Sequence, residues 1–179
     1  MANLREQIGK RVLKNRMKGH KRETRVYNFE TASSAVILFD AQIKNGFHIV
    51  KEFRAFLKEK GINCSVYAFM NQKEIPKDMV FWKGYYIITR RNLNWYMKPV
   101  GDDMEQFKRE DPDILVDFSL EPIIALQFLV QLSSARFKIG SFTEEKNDYD
   151  LMINLAEKND MAFLSDQIVH YVSMLNPSN

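Results

Sequence analysis

A chain of 179 residues with 45% hydrophobic and 12% aromatic residues, 13 of them Phe, is long enough for one α/β domain with a sizeable core and excludes a disordered chain. Its single cysteine, Cys64, excludes an intrachain disulfide and a thiolate-rich metal site, and fits a reducing, cytoplasmic compartment. The net charge of +3 is segregated: residues 1–25 carry nine Lys or Arg against Glu6 and Glu23, a balance of +7, which leaves −4 on the other 154 residues.

In chain order, Leu4, Ile8, Val12 or Leu13, and Met17 recur at helical spacing with basic residues filling most other positions, which predicts an amphipathic basic helix stopped near Gly19 and His20. Residues 1–30 are thus expected to form a basic helical arm and linker, and residues 31–179 a single α/β domain. "SSAVILFD" reads as a strand buried on both faces and ending in Asp40. An apolar stripe from Ile43 to Lys60 follows, with Gly61 as its stop, and then a second strand, "INCSVYAFM". Strand, helix and strand in about 35 residues make a βαβ unit with parallel strands.

Around Gly84, "MVFW" and "YYIIT" read as short strands, and "DDMEQFKRED" as a short polar helix ended with the help of Pro112. From Asp113 the βαβ logic repeats: a strand to Phe118, a helix from about Leu120 to Leu132 with Ser119 as its cap and Pro122 in its first turn, and a strand from Ala135 to Ile139. The polar loop "SFTEEKNDYD", a strand in "YDLMINL" and a helix from Asp160 to Leu175 complete the chain. The longest apolar run, "PIIALQFLVQL", is too short and too Gln-marked to cross a bilayer. This alternation predicts a three-layer α/β/α, Rossmann-like domain with a mainly parallel sheet.

The basic start together with "AVILFDA", "RRNLNWYMKP", "FKREDPDILVDFS", "LSSARFKIG" and "YDLMI" resembles a family of short bacterial proteins of unknown function. That likeness covers nearly the whole chain and implies no activity. A narrower likeness lies in "DILVDF…LQFLVQLSSARFKIGSF", which is similar to a segment in the N-terminal half of heptosyltransferase-type glycosyltransferases. Asp113, Asp117, Ala135, Arg136, Ile139 and Gly140 fit its pattern, and Phe142 falls one place late. The likeness implies a fold. Those enzymes hold the nucleotide-sugar mainly in a C-terminal half for which 179 residues leave no room.

Two groups of candidate site residues emerge. Asp40, Asp117, Ser119 and Glu121 sit where strands end, the place at which open α/β sheets bind ligands, and two nearby carboxylates raise one another's pKa or hold a cation. The same residues also serve as helix or turn caps. Lys10, Arg11, Lys14, Arg16, Lys18, Lys21, Arg22 and Arg25 form the second group. They suit the phosphates of RNA, including ribosomal RNA, but also an acidic protein surface, an anionic membrane, an oligomer contact or the chain's own acidic body.

The aromatic and basic stretch "KGYYIITRRNLNWYMK", with Lys83, Arg90, Arg91 and Lys98, suits either a single-stranded nucleic acid or a core strand flanked by solvated arginines. No Walker loop, G-x-G-x-x-G, G-x-S-x-G or paired-histidine spacing occurs in the 179-residue sequence, so neither cofactor nor metal is expected. The leading expectation is a non-catalytic binding protein that uses its basic helix. The alternatives are a small-ligand or nucleotide-sugar binding domain and a structural subunit of an oligomer.

Overall fold

The computed structural model describes residues 4–17, 22–77, 83–155 and 158–177. Six strands, β1 (Ser34–Asp40), β2 (Asn63–Met70), β3 (Tyr85–Thr89), β4 (Ile114–Asp117), β5 (Phe137–Ser141) and β6 (Leu151–Ile153), form one sheet in the order β3-β2-β1-β4-β5-β6. Every neighbouring pair is parallel. The expected "MVFW" strand lies outside the described residues.

Burial on both faces explains why the strands read as unbroken apolar runs. Along β1, Ala35, Ile37 and Phe39 enter one core, and Val36 and Leu38 enter the other. β2 alternates in the same way, with Val66, Ala68 and Met70 on the first side and Tyr67 and Phe69 on the second. Helices α2 (Gly46–Glu59) and α5 (Met161–Met174) cover the first face through Phe53, Leu57, Leu164 and Ile168. Helices α3 (Asp102–Arg109) and α4 (Ile124–Leu132) cover the second through Met104, Phe107, Leu126 and Leu129. The result is the expected three-layer, Rossmann-like arrangement, with its strand order reversing between β1 and β4.

Helix α1 (Leu4–Met17) packs on the outer side of α4, where Leu13 joins Ile124 and Phe128 in a small third core. Of the apolar stripe expected from Leu4, Ile8, Val12 or Leu13, and Met17, Leu13 is buried with Val12 and Met17 packed beside it, whereas Leu4 is 69% exposed and Gly9 is the second buried position. An added Cβ there would sit 2.5 Å from the Tyr96 carbonyl oxygen, so the missing side chain lets α1 lie against the 94–98 loop. Arg5 fixes the same contact by donating to the carbonyls of Trp95, at 2.8 Å, and Asn94, at 3.2 Å.

α4 starts at Ile124, four residues later than expected. Ser119 is not its cap and Pro122 precedes it. The residue ahead of a proline is steered to extended backbone, which keeps Glu121 out of the helix. The Ser119 N–H donates to Asp117 Oδ1 at 2.9 Å, and its carbonyl accepts from Ser141 Oγ at 2.7 Å, so the turn is tied to β4 and β5 instead.

Candidate functional site

The carboxyl ends of β1 and β4 are adjacent, with Leu38 opposite Asp117 in the ladder and Asp40 two residues further on. The two carboxylates nevertheless work apart. Asp117 is 1% exposed, and its oxygens accept from the Ser119 N–H and, at 2.6 Å, from the Tyr149 hydroxyl. Burial raises its carboxyl above the usual value despite those hydrogen bonds. The Tyr149 ring reaches this position because it lies over Gly140 of β5, where a Cβ would be 2.6 Å from the ring. Asp117, Ser119 and the exposed Glu121 border a cavity of only about 60 Å³, room for ordered water.

Asp40 is different. It borders a separate cavity of about 360 Å³ in which Phe69, Asn71 and the start of α4 meet residues of α1. One oxygen accepts from the Gln42 N–H at 2.9 Å, and burial pushes the carboxyl up from its ordinary value. The sequence therefore places four candidates at strand ends, and the fold divides them between two cavities.

The basic residues divide as well. Arg22 departs from the expectation of a phosphate-facing cation, because its side chain is only 8% exposed. Its guanidinium donates to the carbonyls of Ala135, Arg136 and Asp148 and pairs with Asp150 at 2.6 Å. Beside it Lys138, fully buried in β5, donates to the Val130 carbonyl in the last turn of α4 and pairs with Asp148. Two cations and two carboxylates thus pin the segment that follows α1 to the body. Sequence reading missed Lys138, Asp148 and Tyr149 because their partners lie 8 to 32 residues away with no local pattern joining them.

Lys10 pairs with Glu145 at 2.8 Å across the other flank of α1. Arg11, Lys14 and Arg16 remain exposed, and none of them makes an ion pair among the described residues. Arg25 is exposed too, stacked 5.4 Å from the Tyr27 ring centroid. Lys18 and Lys21 lie outside the described residues. Near Arg16 stands the half-buried Lys98, whose ammonium is held below its ordinary pKa by desolvation and then by the charge of Arg16. Trp95, three residues earlier, is 61% exposed. Within "KGYYIITRRNLNWYMK" the remaining residues are mostly structural: Tyr86 stacks on Tyr67 at 4.7 Å, Ile88 is buried and Arg91 pairs with Glu74.

The sequence profile of the family of unknown function DUF6913 matches residues 5–175. The chain belongs to that family. The DUF6913 match takes in both the docked helix and the whole sheet, so α1 is part of what the family shares. The E3 ubiquitin-protein ligase UBR2 of Saccharomyces cerevisiae is 23% identical over 167 residues, which cover 92% of this chain and 8% of that protein. The chain therefore spans a small fraction of the curated relative it matches. Among the described residues no helix is long and apolar enough to cross a membrane, and no cluster of three or more His, Cys, Asp or Glu is placed to hold a metal.

Proposed function

We propose that this protein is a non-catalytic cytoplasmic binding protein that holds single-stranded RNA on the cationic side of α1. The observation that supports the reading most is the state of Arg11, Lys14 and Arg16, which stay exposed after the helix has docked and have no carboxylate partner among the described residues. All three lie on one helix, and the charge of Arg16 acts on Lys98 of the neighbouring loop. Like charges held this close raise the local potential and attract phosphates. Cations alone suit an acidic protein equally well. The exposed indole of Trp95, a residue whose backbone carbonyl accepts from Arg5 of α1, favours nucleic acid, since bases stack on such a face whatever their identity.

Fluorescence anisotropy with a labelled oligoribonucleotide over a salt series tests the reading. Charge reversal is preferable to deletion of α1, because deletion would uncover Ile124 and Phe128. Each phosphate neutralised on a single strand contributes a slope of about 0.7 in log affinity against log salt, so Arg11→Glu, Lys14→Glu and Arg16→Glu together should lower the slope by about two. Trp95→Ala should weaken binding by roughly 1–3 kcal/mol and leave the slope unchanged. A triple variant that binds like the wild type, or a wild type that binds no RNA at low salt, refutes the proposal. Salt-dependent capture of a polyglutamate peptide, with no response to Trp95→Ala and no RNA binding, would point to an acidic protein instead.

A further inference from the structure

The cavity at Asp40 lies over the carboxyl ends of β1 and β2 and is closed by the start of α4, beside the point between β1 and β4 at which the strand order reverses. Its volume of about 360 Å³ suits a small molecule, and Phe69, Met97 and Ile124 give it apolar walls. Asn71 and Gln42 add amide groups at the polar end. Lys10 of α1 also borders it, but its ammonium is drawn to Glu145 at 2.8 Å.

Asp40 is the unusual group. One oxygen accepts the Gln42 N–H, and among the described residues no donor reaches the other. This half-buried carboxylate has lost part of its water without gaining a cation among the described residues, and burial has pushed its pKa up accordingly. A phosphorylated ligand would meet this negative charge in a site without a glycine-rich cradle, whereas an ammonium would relieve it. We propose that the crevice binds a small organic amine, with its ammonium on Asp40 and its apolar body against Phe69, Met97 and Ile124. Helix α1 then forms part of the wall of a ligand site, a role independent of the cations on its outer side.

Phenethylamine, 2-phenylethanol and phenylacetate share one apolar body and differ in charge, so they are suitable probes. Each is titrated into the full isotope-labelled chain and followed by amide chemical shifts. The amine should move the Gln42, Asn71, Ile124 and Ala125 resonances, and the acid should not. Asp40→Asn keeps an acceptor for the Gln42 N–H and should weaken the amine about tenfold, as loss of a partly desolvated charge pair predicts. Equal shifts from all three probes, no crevice shifts from the amine, or unchanged amine affinity in Asp40→Asn would overturn the proposal. The comparison of probes is made on the wild type and stands even if the variant folds poorly.

Discussion

Gly9→Ala is the sharpest test of how α1 is held. Alanine is the better helix former by about 0.8–1.0 kcal/mol, so an undocked or solvated α1 would be stabilised by the change. Docking opposes this. The new methyl would lie 2.5 Å from the Tyr96 carbonyl oxygen and 3.2 Å from Ile124 Cγ2, and a backbone oxygen cannot swing aside as a side-chain tip can. Relief requires α1 to move outward. That movement exposes Leu13, whose burial is worth about 1.5–3 kcal/mol, and lengthens the Arg5 bonds to the 94–95 carbonyls. The expected net loss is about 1–2 kcal/mol, read from urea unfolding followed by circular dichroism. Trypsin should also cut faster at Arg11, Lys14 and Arg16. Asn15→Ala, on the exposed side of the same helix, should be neutral or slightly stabilising and leave proteolysis unchanged. If Gly9→Ala behaves like Asn15→Ala in both assays, the packing of α1 against the 94–98 loop is wrong.

Other substitutions probe the interior. Arg22→Ala removes the head group shared by Asp148, Asp150 and three carbonyls, and should cost about 3 kcal/mol in urea melts, at the low end for a buried pair because both carboxylates keep some solvent. Arg22→Lys should recover only part of that, since an ammonium cannot reproduce the planar fork. The two aspartates of β4 and its approach should respond to pH in opposite senses. Asp117 has a raised folded pKa, so the native state holds its proton more tightly, and its contribution to stability falls as pH climbs from 3.8 through the folded value. Asp117→Asn should therefore be neutral or stabilising in thermal melts near neutral pH. Asp113 is 9% exposed; burial alone would raise its carboxyl, but donors from Ser33, led by the Ser33 N–H, and from Ser34 hold it below its ordinary value. Its stabilisation is present above pH 3.8 and is lost as pH falls through the folded value, and Asp113→Asn should destabilise at neutral pH. Burial pushes the Cys64 thiol up to about 12, so iodoacetamide at neutral pH should leave it unmodified until denaturant is added.

The sheet was largely legible because β1, β2 and β4 are buried on both faces, and such strands announce themselves as unbroken apolar runs. Strand order was not legible. Nothing local says that β4 joins β1 rather than β3, and the switch point exists only through that pairing. The strand-end carboxylates were found by type and place, yet their division into a fully buried, tyrosine-bonded Asp117 and a half-buried Asp40 bonded to the Gln42 N–H depends on Tyr149, which reads as loop. The start of α4 was misplaced because Ser119 and Pro122 look like capping signals, while the bonds that set the turn come from Asp117 and Ser141. Charge alone marked Arg22 as a phosphate ligand; only the positions of Ala135, Asp148 and Asp150 show it to be a tether.

The long sequence separations of the α1 contacts bear on folding order. Arg5 meets a residue 90 positions ahead, Arg22 one 128 ahead, and Lys10 one 135 ahead. The βαβ units close over far shorter spans, and loop-closure entropy favours those first. Helix α1 should then seat itself late, after α4 and the loop before β6 have formed. Refolding of Gly9→Ala should accordingly proceed at nearly the wild-type rate, with the lost stability appearing as faster unfolding. Until that last step, a growing or refolding chain carries its cations on an unattached helix beside an uncovered Ile124 and Phe128, the state in which it is most open to nucleic acids and to aggregation.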